Sequence, residues 1–285
     1  MNNILVQAPF GFRMQHSTEQ AVFSLINSIV TDMNYNQIVG GIFCNLQKAF
    51  DCVNHKIFVD KLQSYGIDGK FKILIESYIT NRYQNVTLNK IDYNNNSSGW
   101  ARINCGVPQG AILGPLFILI YINDLPTLIN IDNNIILYAH DTSIVITDSN
   151  SDDSNLHANM LFNDTNTWFR NNLLNLNFSK THYLQFRSMT HYKIHHNHNY
   201  ISSTTQTKFL GLTVDDSLSW KLHTDQVIKR MSSGSYALRY IKYSVPTETK
   251  NNLLCSHSYD FELRYNLLDQ LLICSRGILT SKENH

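Results

Sequence analysis

Two apolar runs, Ile135 to Ala139 and Ser143 to Thr147, are separated by only His140, Asp141 and Thr142. That spacing leaves room for a tight turn, so the segment is expected to fold as a hairpin of two apolar strands with polar side chains at its tip. Upstream, residues 38–44 (IVGGIFC) are short, β-branched and glycine-bearing, which fits a buried strand ending at Asn45. Downstream come a helical stretch at about 153–172 and a strand at 182–187. With helices between the first strand and the hairpin, the order is β-α-β-β-α-β, the split βαβ or ferredoxin-like arrangement. The chain is therefore expected to be α+β.

The remaining elements follow from periodicity and caps. Ser17 and Gln20 make a capping-box pattern, and Ala21, Val22, Leu25, Ile26, Ile29 and Val30 recur at helical spacing. Helices are expected at roughly 54–64 and 69–80, with Gly66 as the stop of one and Asp68 as the cap of the next. Gln84–Leu88 and Trp100–Asn104 read as strands around the asparagine-rich loop 92–98, and Gly106–Gly110 as a glycine-bounded turn. Ile112–Leu125 reads as a helix apolar on every side, hence buried, and ended by Pro126. Lys208–Val214 reads as a strand, and 219–243 as a basic helical segment carrying Lys221, Lys229, Arg230, Arg239 and Lys242. His191, His195, His196 and His198 form a histidine-rich stretch with two readings, a metal site or a solvated hairpin loop. The second is preferred because no carboxylate or cysteine accompanies them at ligand spacing.

Composition sets outer limits. With 285 residues and 43% hydrophobic content the chain is long and apolar enough for a buried core. Lys and Arg number 23 against 22 Asp and Glu, a net charge of +1, so charge by itself does not point to a phosphate backbone as partner. The five cysteines (44, 52, 105, 255, 274) show no Cys-x-x-Cys spacing, which argues against a zinc site or a disulfide framework and for a reduced intracellular compartment, cytoplasm or nucleus. The longest apolar run, Leu116–Ile122, is too short to cross a bilayer, so no membrane is expected as partner.

Six motifs then occur in order. They are Phe10-Gly-Phe-Arg13 with His16-Ser-Thr-Glu19; Asn45-Leu-Gln-Lys-Ala-Phe-Asp51; Gly106-Val-Pro-Gln-Gly110 running to Ile122-Asn-Asp-Leu125; Tyr138-Ala-His-Asp141; Asn175-Leu-Asn-Phe-Ser-Lys180-Thr181; and Phe209-Leu-Gly-Leu212 leading to Trp220 and His223. In this order and spacing, over about residues 5 to 245, the chain resembles the reverse transcriptase of a jockey-like, non-long-terminal-repeat retrotransposon. The resemblance implies an RNA-directed DNA polymerase fold: a ferredoxin-like palm with partial fingers and a helical thumb segment. Residues 1–36 would be an N-terminal helix beside the palm, a remnant of the fingers. Residues 37–215 would be the palm with a helical insertion, and 216–285 a thumb-like helical segment with a divergent tail.

That family holds two Mg²⁺ ions between a carboxylate at one strand end and a carboxylate pair on the adjacent hairpin, because phosphoryl transfer relies on positioning and charge neutralisation by hard oxygen ligands. Carried over residue by residue, the catalytic positions fall on Asn45, His140 and Asp141. Only Asp141 keeps the metal-binding carboxylate. Asn45 loses the charge, and His140 offers a nitrogen better suited to zinc or copper. Phe50 resembles the residue that stacks beneath the incoming sugar; a core aromatic is the other reading. Pro108, Gln109 and Gly110 resemble the turn that meets template and nucleotide, and Lys180 resembles a proton donor to pyrophosphate, with a solvated surface lysine as the alternative. Asp51 closes its motif without a metal role.

The chain is thus expected to be a degenerate and truncated copy. It is expected to lack a complete fingers region and a nuclease segment, Mg²⁺ is expected to bind weakly or not at all, and catalysis is expected to be lost. RNA template and DNA primer are the partners that the family implies. Here any nucleic-acid binding is expected to be weak and salt-sensitive, along the basic residues of 219–243. The alternative is a non-catalytic protein- or nucleic-acid-interaction module on the same fold.

Overall fold

The computed structural model describes residues 4–6, 11–13, 16–88, 96–128, 134–139, 141–187, 192–196 and 199–241. Helix α1 (Thr18–Asn34) starts on the capping box: the Ser17 hydroxyl accepts from the Gln20 N–H, and the Gln20 side-chain oxygen accepts from the Ser17 N–H. Strand β1 (Ile38–Gln47) runs past the expected end at Asn45, because Leu46 and Gln47 pair with Leu176 and Asn175. Helices α2 (Ala49–Cys52), α3 (His55–Ser64) and α4 (Gly69–Ile79) follow. Asn54 caps α3 by accepting from Lys56 and Ile57 N–H, whereas the Asp68 side chain makes no capping bond to α4. Gly66 has the positive φ (78°) expected of a helix stop.

Strands β2 (Arg82–Gln84), β3 (Thr87–Leu88), β4 (Asn96–Ser97) and β5 (Ala101–Ile103) make two short ladders, β2 with β5 and β3 with β4, where two longer strands were expected. Helix α5 (Leu113–Ile122) stops three residues early, and Pro126 sits inside a further short helix, α6 (Leu125–Leu128), instead of ending the first one. In a first turn its missing N–H costs nothing. Unbroken burial begins at Phe117, whereas Leu113 and Leu116 are exposed and Ile112 beside the helix start is 94% exposed.

The hairpin is present as β6 (Asn134–Tyr138) and β7 (Asp141–Asp148), with a tighter turn than expected. Asp141 and Thr142 belong to the strand rather than the tip, and Ala139 takes the left-handed φ of 55°. After it come α7 (Ser151–Asn171), β8 (Asn175–Leu176), a 3₁₀ turn (Phe178–Lys180) and β9 (His182–Gln185). Strands β10 (Lys193–His196) and β11 (Asn199–Ser202) form a hairpin, and among the described residues no group of three or more His, Cys, Asp or Glu side chains could hold a metal. His191 and His198 lie outside the described residues. The strand expected at 208–214 is a hairpin, β12 (Gln206–Phe209) with β13 (Leu212–Asp215), turned by Leu210 and Gly211 at φ of 48° and 89°. Helix α8 (Lys221–Ile241) carries Lys221, Lys229, Arg230 and Arg239, all exposed. Lys242 and the tail 249–285 lie outside the described residues.

The main sheet has the order β6-β7-β1-β8, with β9 also on β1, antiparallel from Gly40↔Gln185 to Phe43↔His182. Counting β1, β6, β7 and β9 as the four strands of the split βαβ unit gives the neighbour order 2-3-1-4, the ferredoxin-like one.

The chain divides into two compact units, residues 1–16, 44–142 and 160–181, and residues 17–43, 143–159 and 182–285. The core of the first gathers Phe58, Phe117 and Tyr121, with Phe58 5.0 Å and 6.5 Å from the other two rings. The Tyr121 hydroxyl donates to the Asn172 carbonyl (2.7 Å), and burial pushes its pKa up to about 12. The core of the second includes Leu25, Ile26, Ile29, Ile42 and Tyr183, all with 0% exposure, each burial contributing roughly 1.5–3 kcal/mol.

Candidate active site

Asn45 lies near the end of β1 between buried neighbours, Cys44 and Leu46. Burial pushes the Cys44 thiol up to about 12, so it stays protonated and inert. The Asn45 N–H donates to the Thr181 hydroxyl (3.4 Å) and its carbonyl accepts from the Asn177 N–H (2.8 Å). The segment 177–181 is thereby moored beside the strand end. The Asn45 side-chain nitrogen donates to Asp141 Oδ1 over 3.0 Å. The strand end and the start of β7 therefore meet, as the motif order requires. His140 lies outside the described residues.

Past the strand, Lys48 takes the left-handed conformation (φ 46°, ψ 44°) and its carbonyl accepts from Asp51 (2.8 Å) and Cys52 (3.1 Å), which turns the chain sharply into α2. This turn sets Phe50 half-buried, edge-on to Phe12 at 6.3 Å. The 106–110 turn is tied to the same segment: Gly106 N–H donates to the Val53 carbonyl and Val107 N–H to the Phe50 carbonyl, both at 2.8 Å. Gly106 needs to be glycine on two counts, a φ of 87° and a Cβ position only 3.0 Å from the Asp51 carbonyl oxygen. Gly110 (φ 81°) faces open space, so its requirement is conformational and not one of close approach. The Pro108 carbonyl accepts from the Ala111 N–H at 3.3 Å, closing the turn.

Gln109 projects from that turn and donates to Asp51 Oδ1 at 2.8 Å. Asn45, Phe50, Asp51, Gln109, Asn177 and exposed Lys180 line one open cleft of about 550 Å³. Sequence reasoning named four of these six. Asp51 closes its motif without a metal role, and Asn177 lies inside the motif that runs to Lys180. The signal for both was their place in the motifs. The cleft combines neutral amides, one carboxylate, an aromatic and lysines, a set able to meet a base, a sugar and a phosphate.

A family model, reverse transcriptase (RNA-dependent DNA polymerase), matches residues 1–214. The RNA-directed DNA polymerase from mobile element jockey of Drosophila melanogaster is 24% identical over 226 residues, covering 76% of this chain and 24% of that protein. Its counterpart from Drosophila funebris is 32% identical over 117 residues, 41% of this chain and 12% of the relative. The chain spans about a quarter or less of the length of these curated relatives. Among solved structures, apo telomerase from Candida tropicalis truncated from its C-terminal domain superposes with a TM-score of 0.51 at 15% identity, covering 73% of this chain and 39% of the other. That likeness shows the shared α+β fold. With three quarters of its length matched, the chain belongs to the reverse transcriptase (RNA-dependent DNA polymerase) family.

Proposed function

We propose that this chain is a reverse transcriptase palm, comprising residues 37–215, that retains the template- and nucleotide-facing cleft but does not catalyse nucleotidyl transfer. The observation that carries the reading is the hydrogen bond from the Asn45 amide to Asp141. Members of this family use divalent metal. A pair of magnesium ions requires several anionic oxygens around one point. Here an amide N–H points at the remaining carboxylate and uses one of its acceptor sites, and the opposing side chain brings no charge. The residues do not fit a two-metal centre.

Residues 1–36 are read as the fingers remnant and 216–285 as the thumb-like segment. Within the cleft, Phe50 would lie under a sugar, Pro108, Gln109 and Gly110 would border a template–nucleotide pair, and Lys180 would meet the phosphates. RNA template and DNA primer are the partners, held weakly and in a salt-dependent manner, with the exposed cations of α8 contributing. Among the described residues no helix is long and apolar enough to cross a membrane.

Primer extension with Mg²⁺ and with Mn²⁺ tests the proposal. The unmodified chain is expected to incorporate no nucleotide above background, since loss of one charge-stabilising group typically costs about a hundred- to a thousandfold. Calorimetric titration with Mn²⁺ is expected to show no site in the unmodified chain and one in the Asn45→Asp/His140→Asp variant. Robust metal-dependent extension by the unmodified chain would overturn the inactive reading.

A further inference from the structure

The small sheet between α4 and the 106–110 turn carries side chains that its own packing does not use. Strand β2 pairs with β5 in the register Arg82↔Ile103, Tyr83↔Arg102 and Gln84↔Ala101. Directly opposed residues share a face, so Tyr83 and Arg102 stand side by side. Tyr83 is 58% exposed, and one guanidinium nitrogen of Arg102 donates to Asn81 Oδ1 at 3.0 Å, which holds the group in place.

Further along, Thr87 pairs with Ser97. Two residues, Asn85 and Val86, separate the ladders on one side, and three, Ser98, Gly99 and Trp100, on the other. The extra residue is a β-bulge. Gly99 at φ 72° supplies the left-handed turn, and the Ser98 N–H to Val86 carbonyl bond (2.9 Å) resumes the pairing beyond it. Bulges re-aim side chains, and the one re-aimed here is Trp100, 76% exposed and two residues from Arg102. The other tryptophans, Trp168 and Trp220, are 6% and 3% exposed.

We propose that the face formed by Tyr83, Trp100 and Arg102 is a stacking platform for the unpaired bases of single-stranded nucleic acid. Two aromatic rings and a guanidinium plane on one short sheet suit bases that have left a duplex, because each base offers a π-face whatever its identity. The charge matches such a partner: residues 81–104 contain Arg82, Lys90 and Arg102 against the single acid Asp92. This local excess contrasts with a near-neutral chain. The site shares no residue with the cleft lined by Asn45, Asp51 and Lys180 and does not depend on whether that cleft is catalytic.

The test is binding of fluorescent 15-mer oligouridylate and oligothymidylate to the whole chain in EDTA, so that metal at the cleft plays no part. Trp100→Ala is expected to weaken binding about tenfold and Trp100→Phe to restore most of it. Arg102→Gln is expected to lower the slope of log Kd against log salt by about one. Oligonucleotide should also quench the emission of the exposed tryptophan, and a blunt duplex of equal length should not compete. Unchanged affinity in Trp100→Ala with retained circular dichroism, or duplex binding as tight as single-strand binding, would overturn the platform. Primer extension by the unmodified chain would leave it standing.

Discussion

The Gln109 side-chain amide is held by the Asp51 carboxylate at 2.8 Å, so the last residue of one motif positions the glutamine of another 58 positions away in sequence. Both side chains are exposed, which limits the bond's contribution to global stability to about 1 kcal/mol. Its effect is on the turn. Asp51→Ala is expected to leave Tm within a few degrees of the parent while amide hydrogen exchange at 109–111 quickens several-fold. Unaltered exchange there would show that the backbone bonds of Gly106 and Val107 fix the turn by themselves.

Gly40 gives a packing prediction. A Cβ at this position would stand 2.8 Å from the Tyr183 hydroxyl oxygen and 3.0 Å from its ring, and Tyr183 is fully buried with no space to retreat. Gly40→Ala is therefore expected to cost about 1–3 kcal/mol by overpacking. Tyr183→Phe added to it should recover part of that loss, a non-additive pair measurable by urea unfolding.

Much of this architecture was legible before the structure. The Ser17 capping box, the β1 run and the hairpin spacing of 135–147 carry local signals; the cap is found as read, and β1 and the hairpin are present with shifted ends. What escaped depended on partners distant in sequence. The last residues of β1 are strand because Leu46 meets Leu176. The strand at 208–214 splits because Leu210 and Gly211 both accept positive φ, and a leucine gives no warning of that. At the cleft, the motif positions were readable one by one, but the bond between Asp51 and Gln109 was not, since neither residue type implies the other.

Lys61 sits where charge, aromatic faces and a carbonyl meet. Its ammonium donates to the Tyr121 carbonyl (2.8 Å) and Asp124 (2.6 Å) and lies 4.7 Å from the Trp168 ring centre. Lys61→Met removes these contacts and leaves the Asp124 carboxylate unpaired, for an expected loss of about 2 kcal/mol. Burial lowers the Lys61 pKa below 10.5, with Asp124 opposing. The folded chain therefore sheds this proton earlier than the unfolded one, and the contribution to stability rises as pH approaches 10.5. The difference in unfolding free energy between parent and Lys61→Met should widen toward alkaline pH.

His182, opposite Phe43 in the sheet, has its imidazole pKa lowered below 6.5 by burial. The unfolded chain takes up this proton first as pH falls, so its contribution to stability is complete above 6.5 and lost as pH drops through the folded value. His182→Gln should flatten the Tm profile in that acid window and leave it unchanged at pH 8. An identical slope in both proteins would assign the acid sensitivity to other groups.

The Asn45 and Asp141 pair makes the proposed absence of a metal centre testable through stability. Replacing the amide by a carboxylate sets two acids within about 3 Å, where like charges raise the apparent pKa of the pair. A folded pKa raised above the unfolded value makes stability highest at low pH, and that stability is lost as pH rises through the raised value. Asn45→Asp in EDTA is therefore expected to match the parent near pH 4 and to fall below it by about 1–2 kcal/mol at pH 7.5. Millimolar Mn²⁺ should reverse the deficit in the variant, because a cation bound only by the folded state adds stability by mass action. The parent should gain nothing, since the neutral Asn45 amide adds no second anionic oxygen beside Asp141 and occupies one of its acceptor sites. Equal stabilisation of both proteins by Mn²⁺ would mean that other oxygens gather the metal, and that the neutral side chain at position 45 does not decide whether this cleft holds one.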